Sequence, residues 1–312
     1  MNHRRIIIAH LSMLGAVVAW GLMSPIGKDA MTHGISGFSM VGFRVFGAAI
    51  LFWITSLFTA HEHVPVKDIF LFGAASIFGV TCNQCLFILG LNYTSPVNAS
   101  VITTSMPIFA MIWAFFILKE PITWQKACGI AVGCVGAVIL ILTSLHATNS
   151  RVGDFRGDLM VLGAQLSFSL YLSLFNGLIK RYSVVTINKW MFFWATIYVL
   201  PISLPDMLDI DFPTVRLSTW SEVGFVVFFG TFVSYILMMI GQHTLRPTVV
   251  SVYNYVQPIV AVTVSLLAGI GVFTTYQATA ILLVFIGVWM VVKSRSKRDM
   301  EAKENVCQRE IK

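Results

Sequence analysis

Large polar side chains recur in segments of the sequence that are otherwise apolar. Asn83 and Gln84 lie in one such segment, and Tyr253, Asn254 and Gln257 lie in another. A polar group without a partner in hydrocarbon costs several kcal/mol, so each of these groups needs either a neighbouring helix or a water-filled space. Three large polar groups within five residues exceed what bonding between helices needs. They favour a cavity that hydrogen-bonds a small polar solute, with interhelical bonding as the alternative.

Two aromatic residues, Trp20 and Tyr171, lie in other apolar segments and complete the predicted wall of this cavity. Arg44 is the one charged residue well inside an apolar segment. It lies about 9 Å from the start of its predicted helix, at roughly 1.5 Å per residue. Three alternatives follow for its guanidinium: it extends to the nearer membrane surface, it faces the cavity, or it braces neighbouring helices through backbone carbonyls.

Side chains for catalysis or for a metal are missing from the apolar segments. All acidic residues fall in predicted loops, tails or span edges, and there is no histidine-rich cluster. Cys82 and Cys85 have CxxC spacing but lie inside a predicted membrane helix, where free thiols behave as small hydrophobic groups. We therefore expect no enzyme activity, no cofactor and no metal site. The lack of an intramembrane carboxylate also argues against a proton relay built on Asp or Glu.

The composition is that of a membrane-embedded chain. Hydrophobic residues make up 57% of the 312 residues, charged residues make up 11%, and the mean hydropathy is +0.81. An ordinary soluble domain carries about 25% charged residues. Apolar runs near twenty residues suit helices that cross ~30 Å of hydrocarbon, so we expect an all-α polytopic membrane protein in a lipid bilayer. The ten predicted spans are 6–27, 37–59, 69–91, 97–118, 124–144, 158–179, 187–204, 220–243, 248–268 and 275–292.

The second half of the sequence repeats the first. A shift of 151 residues places Gly79 on Gly230 and Pro107 on Pro258, and a shift of 148 gives matches nearer the N-terminus. Each half holds five predicted spans, an odd number, so the two repeats enter the membrane in opposite directions. The expected division is a first five-helix repeat over 1–145, an external linker over 146–157, a second five-helix repeat over 158–292 and a charged cytoplasmic tail over 293–312.

The repeat also pairs residues that suit a cavity. Gln84 corresponds to Tyr235, and Trp20 corresponds to Phe168. Symmetry-related spans that carry polar groups at matching depth are expected to meet near a pseudo-twofold axis, which predicts a central cavity at mid-membrane depth. For the hydroxyl groups at 103–105, hydrogen bonds back to their own helix are the favoured alternative.

Lysine and arginine set the expected orientation. With the N-terminus inside, sixteen basic residues are cytoplasmic and four are external. This asymmetry follows the positive-inside rule, so we interpret the net charge of +7 as a topology signal and not as a nucleic-acid footprint. The expected location is the cell inner membrane, with both termini cytoplasmic. A glycine stripe in the fifth span, Gly129, Gly133 and Gly136, predicts close helix packing, either in a dimer or within one chain.

Several motifs resemble a known family. The runs GLNYTSP at 90–96, ASVITTSMP at 99–107 and LKEPIT at 118–123, followed by the glycine-rich fifth span, resemble the EamA-type repeat of the drug/metabolite transporter superfamily. The Phe43-Arg44 pair and the second-half segments 241–247 and 251–258 extend the resemblance over nearly the whole chain. It implies ten helices in two inverted five-helix repeats, and export or exchange of small metabolites such as amino acids, or of drugs.

The resemblance also points to gating positions. Family repeats commonly end the fourth helix with an acidic residue, as Glu120 does here, whereas the second half has Gly271 at the matching position. A tight turn at Glu120 is the structural alternative. The expected structural or gating residues are Glu120, Arg44 and the repeat-related pair Pro107 and Pro258.

These observations predict a membrane transporter that exports or exchanges small organic metabolites by alternating access. A wall of amides, hydroxyls and aromatic rings without a carboxylate favours neutral or zwitterionic solutes such as amino acids. It also predicts movement down the solute's own gradient or by exchange. One alternative is a multidrug or cation efflux carrier. An alternative of another class is a non-transporting membrane receptor or assembly protein.

Overall fold

The computed structural model describes residues 3–118, 124–145, 154–244, 253, 256–269 and 274–292. Within these residues the regular structure is α-helical, with two short π-helical segments and no β-strand. The α-helices of the first half are α1 His3–Thr32, α2 Gly37–Ser56, α3 Val66–Ser76, α4 Asn83–Tyr93, α5 Pro96–Thr103, α6 Met106–Leu118 and α7 Trp124–Leu145. Those of the second half are α8 Phe155–Leu174, α9 Asn176–Ile179, α10 Val184–Leu208, α11 Leu217–Val227, α12 Ser234–Thr244, α13 Val256–Leu267 and α14 Thr275–Val292.

Seven helical stretches of the described residues are long and apolar enough to cross a membrane. Each coincides with one of the ten predicted spans. The remaining three predicted spans coincide with shorter apolar helices, Ala127–Gly136, Val256–Leu267 and Thr275–Gly287. The seven stretches are Arg4–Thr32, Gly37–Ser56, Val66–Tyr93, Pro96–Ile117, Phe155–Leu174, Val184–Leu208 and Leu217–Gly241.

Polar capping residues mark where the apolar helices begin. The Ser36 hydroxyl accepts the N–H of Ser39 at 3.0 Å at the start of α2. Ser95 does the same for α5, where Pro96 occupies the first turn and needs no hydrogen-bond partner. A cap satisfies one of the amides that the first turn of a helix leaves unpaired, which matters most where lipid replaces water. The short polar segments between apolar runs are therefore helix ends.

The loop before α3 is tied to the start of α10 by a carboxylate. Glu62 accepts the backbone N–H of Ser183 at 3.0 and 3.1 Å. Partial burial acts to raise the pKa of Glu62, but hydrogen bonds from Thr186 and Ser183 outweigh that effect and hold the pKa below its usual value. Glu62 is therefore charged at neutral pH and links the two halves of the chain.

Two long helices each contain a six-residue π-helical segment in the middle. Ile77–Cys82 lies between α3 and α4, and Phe228–Val233 lies between α11 and α12. A shift of 151 residues superimposes one segment on the other. π-Turns are rare and often occur at functional sites, because they rotate the side chains that follow and leave carbonyls free for other donors.

The predicted fourth span is broken into α5 and α6. Thr103, Thr104 and Ser105 donate their hydroxyl hydrogens to carbonyls three residues earlier, at 2.6, 2.6 and 2.7 Å. Pro107 follows in the first turn of α6, where its missing N–H is tolerated. The back-bonded hydroxyls and the proline together account for the break.

The glycine stripe of the fifth span lies in a contact within the chain. A Cβ added at Gly287 of α14 would lie 2.5 Å from the Gly133 nitrogen and 2.6 Å from the Gly129 carbonyl oxygen of α7. The two helices therefore approach backbone to backbone, which side chains larger than hydrogen would prevent.

Candidate functional site

Residues of eight helices of the described part of the chain line a cavity: α1, α2, α4, α5, α6, α8, α12 and α13. The volume open to the centres of water molecules is about 80 Å³. Six lining residues are polar and six are aromatic or methionine, so the wall offers both hydrogen bonds and apolar surface. The lining residues are Trp20, Met23, Arg44, Asn83, Gln84, Phe87, Thr103, Met106, Gln165, Phe168, Tyr235 and Gln257.

A hydrogen bond joins two repeat-related residues in this wall. Gln84 Nε2 donates to the Tyr235 hydroxyl oxygen at 2.9 Å, and the two positions are 151 residues apart. Trp20 packs edge-on against the Tyr235 ring, with the ring centres 6.3 Å apart. Gln84 is 1% exposed, and its carbonyl oxygen has no hydrogen-bond partner among the described residues. The wall thus holds a fixed amide whose acceptor oxygen is buried and unused.

Arg44 is buried, with 3% of its surface exposed. Its Nε donates to the Thr231 hydroxyl at 2.6 Å, and its Nη2 lies 3.5 Å from the Gly230 carbonyl oxygen. Nη1 has no partner among the described residues. The side chain therefore crosses from α2 to the second π-helical segment and lines the cavity, instead of extending to a membrane surface.

Asn83 and Gln257 line the wall from helices of different halves of the chain. Asn83 Nδ2 donates to the Ala164 carbonyl oxygen at 3.0 Å, which ties α4 to α8. Gln257 is 6% exposed at the start of α13 and is followed by the buried Pro258. A Cβ at Gly21 would lie 2.9 Å from the Gln257 carbonyl oxygen, so the lack of a side chain lets α1 approach α13 here.

Tyr171 and Tyr253 are not among the lining residues within the described part of the chain. Tyr171 lies behind Phe168, with ring centres 5.7 Å apart. It packs on the first π-helical segment, where a Cβ at Gly79 would lie 2.8 Å from the Tyr171 ring. The Tyr253 hydroxyl instead lies 2.7 Å from His10 Nδ1 on α1.

Two of the predicted residues, Asn254 and Glu120, lie outside the described residues. Trp20, Asn83, Gln84 and Gln257 are brought together around the cavity.

Several lining residues were not selected from the sequence as cavity residues. Met106, Phe168 and Tyr235 carry a signal that could have found them, because the repeat pairs them with Gln257, Trp20 and Gln84 respectively. Met23 and Phe87 carry no such signal, because apolar residues that face a cavity are of the same types as those in a core.

A buried polar network lies at the start of α8, apart from the cavity wall. Asp158 is fully buried and accepts hydrogen bonds from Thr94 and, at 3.3 Å, from Asn98 Nδ2. The Asn98 side-chain oxygen, Oδ1, accepts from Gln277 Nε2 at 2.7 Å. These bonds join α5, α8 and α14, so the network holds helices of both halves together at one end.

The family model of EamA-like transporters matches residues 7–142 and 155–293. The chain belongs to the EamA-like transporter family. Its apolar helices and this family make it an integral, multi-pass membrane protein.

Several relatives of this EamA-family protein are named as transporters or exporters. An uncharacterized transporter of Bacillus subtilis, YyaM, is 24% identical over 69% of this chain and 70% of its own. A probable terminal-alkyne amino-acid exporter of Streptantibioticus cattleyicolor is 24% identical over 62% of each chain. An S-adenosylmethionine uptake transporter of Rickettsia prowazekii is 29% identical over 43% of this chain and 40% of its own.

A solved crystal structure has the same fold, with a TM-score of 0.62 and 15% identity over 91% of this chain and 96% of that one.

Proposed function

We propose that this EamA-family protein exports or exchanges small organic metabolites across the membrane by alternating access. The observation that carries the proposal is the central cavity, which lies among membrane-length helices and combines buried polar groups with aromatic rings. Sites of this kind in transporters lie at mid-membrane depth between repeats. The relatives named as an amino-acid exporter and an S-adenosylmethionine uptake transporter support a small-molecule cargo.

The proposed architecture is ten membrane helices in two inverted five-helix repeats, with the divisions 1–145, 146–157, 158–292 and 293–312. The two matched ranges of the family model support it. The two-repeat architecture is also supported by the hydrogen bond between the repeat-related residues Gln84 and Tyr235, and by the matching π-helical segments. The basic residues favour an inner-membrane location with both termini cytoplasmic.

Alternating access needs a closable contact on each side of the cavity. Two contacts suit this role: Tyr253 with His10, and Asn98 with Asp158. His10 and Asp158 are related by the shift of 148 residues, and each lies on the first helix of its half. Each contact joins that helix to the predicted fourth span of the other half, which is the arrangement that two repeat-related gates would have.

The proposed cargo is neutral or zwitterionic, such as an amino acid. The described part of the wall has amides, a guanidinium and aromatic rings, and no carboxylate to neutralise a dication. A multidrug efflux carrier is the second candidate, because Met23, Met106, Phe87 and the other apolar lining residues would suit a lipophilic solute.

Transport by purified protein in liposomes tests the proposal. Radiolabelled amino acids, nucleosides and cationic dyes are offered without an imposed pH difference. We expect at least one amino acid to accumulate above empty liposomes, and Gln257→Leu to slow its uptake roughly tenfold, as expected for loss of a cavity hydrogen bond of about 1.4 kcal/mol.

The matched control is Ser221→Ala on the exposed face of α11, which should transport as the parent does. Accumulation of no solute would contradict the proposal and favour a receptor or assembly role. Strict dependence on a proton gradient would contradict movement down the solute's own gradient.

A further inference from the structure

We propose that Arg44 and Gln84 together recognise a carboxylate and a neighbouring N–H donor on the cargo, so that the solute must be an α-amino acid or carry the same pair of groups. This inference rests on the proposed transport function. It narrows that function, because a wall of amides and rings alone would also accept neutral solutes.

Only some of the N–H donors of Arg44 are used to hold its side chain in place. Its Nε donates to Thr231, and Thr231 in turn donates to the Val226 carbonyl oxygen at 3.0 Å. These bonds fix the plane of the guanidinium, while Nη1 has no partner among the described residues. A guanidinium stays charged in proteins and carries five N–H donors, so Arg44 places a cation in the cavity wall, with the Nη1 donors buried and unused.

No acidic side chain is among the described lining residues, so the wall as described offers Arg44 no counter-charge. A buried unpaired charge is unfavourable, and hydrogen bonds from a guanidinium to a carboxylate are among the strongest that a protein makes. A carboxylate on the cargo would supply both the charge and the acceptors. A cationic cargo would instead be repelled.

Gln84 supplies the complementary group. Its nitrogen is committed to the Tyr235 hydroxyl, so its buried carbonyl oxygen is the unused atom. Arg44, Gln84 and Tyr235 all line the same cavity, so the cation and the unused acceptor belong to one wall. An acceptor in the same cavity as an anion-binding group matches an α-amino acid, which carries an ammonium and a carboxylate together.

The apolar lining completes the fit. Trp20 packs on Tyr235, and Phe168 also lines the cavity. These rings suit an apolar side chain on the cargo. Leucine, methionine and phenylalanine are therefore the probes.

The experiment compares each of these amino acids with its carboxamide and with its des-amino acid. Uptake into proteoliposomes and thermal stabilisation of the purified protein are both measured. In the parent protein we expect each amino acid to be preferred over its amide and over its des-amino acid by about tenfold, the effect of one charge-assisted hydrogen bond.

Arg44→Gln should abolish the preference for acid over amide while the amide still enters. Gln84→Met should abolish the preference for amino acid over des-amino acid. Lys28→Gln is the matched control, because Lys28 also donates to backbone carbonyls from within an apolar helix but does not line the described cavity. It should keep both preferences. If Arg44→Gln does not fold, the parent ratios and Gln84→Met still decide the question.

Two results would overturn the inference. One is equal uptake of acid and amide by the parent protein, and the other is an equal loss of both in Arg44→Gln, which is what a purely bracing arginine predicts. Either result leaves the proposed function intact as long as a solute accumulates. If no solute accumulates and no acid stabilises the protein, both the function and the inference are wrong.

Discussion

At the scale of single residues, the Gln84–Tyr235 bond decides what the cavity can offer a solute. Each partner is nearly inaccessible, so each needs the other to avoid an unsatisfied buried group. A bond of this kind contributes only about 1 kcal/mol, but removal of one partner leaves a desolvation cost of ~1–3 kcal/mol. The bond also holds the Gln84 carbonyl oxygen in one direction.

Tyr235→Phe tests this role. Removal of the hydroxyl leaves Gln84 Nε2 without its partner, so we expect the free energy of unfolding to fall by about 1–2 kcal/mol. Reversible unfolding in a detergent series would measure it. In a double-mutant cycle with Gln84→Met, a coupling energy near zero would show that the bond does not form.

The sequence predicts some residue contacts and cannot predict others. Residue type alone identified Asn83, Gln84 and Gln257, because polar side chains in apolar segments need a reason to be there. Type alone could not place Tyr171 behind Phe168, since the two lie three residues apart on one face of α8 and helix tilt determines which reaches the cavity. The partner of Arg44 is 187 positions away, so only the fold could decide among its three alternatives.

At the scale of elements, the contact between α7 and α14 depends on the absence of side chains. The close approach of Gly287 to Gly133 leaves no space for a methyl group, and the obstructing atoms are backbone that cannot rotate away. Close packing of this kind provides much of the attraction between helices in lipid, where the hydrophobic effect does not operate.

Gly287→Ala should therefore be destabilising, by about 1–3 kcal/mol, because the two helices must separate. Gly224→Ala is its control: that glycine also lies inside a helix, with no atom within 4 Å of an added Cβ. There the change should be neutral or slightly stabilising, since alanine favours helix over glycine by up to ~1 kcal/mol. Equal thermal stabilities of the two variants would show that α7 and α14 do not pack in this way.

Hydropathy predicted where helices run but not how they are interrupted. The π-helical segments and the break at 104–105 change the backbone hydrogen bonding within runs of apolar residues. The residues on either side stay apolar, so hydropathy gives no sign of these interruptions. They do change which side chains face the cavity after the interruption. Element positions were therefore accessible from the sequence, while the rotation of each element about its axis was not.

At the scale of the whole molecule, the two halves depend on one another. Neither half alone lines the cavity, because α1, α2, α4, α5 and α6 supply one part of the wall and α8, α12 and α13 supply the other. The ties at Glu62 and Asp158 also cross between halves. A half produced alone would lose the bond between Asn98 and Asp158 and expose these buried polar groups to lipid.

The inverted arrangement makes a topological prediction. A reporter fused after Lys297 should be active on the cytoplasmic side, and one inserted at Ser150 should be active on the external side; both positions lie outside the described residues. The reason is an odd number of spans between them. Alkaline phosphatase and green fluorescent protein fusions measure the two sides. Finding both positions on the same side would contradict the five-plus-five division.

The matched π-helical segments have a consequence for the history of the chain. A π-turn, bonded from i to i+5, holds one more residue than an α-turn, and here both halves contain such turns at equivalent positions. If the halves descend from a duplicated gene, a single insertion before the duplication explains both segments, whereas two later insertions would have had to coincide. Gly79 and Gly230 persisted through the divergence that followed, while their neighbours Val80 and Thr231 separated. The ancestral single-repeat protein would already have carried this irregularity, and two oppositely inserted copies of it would have framed the first cavity.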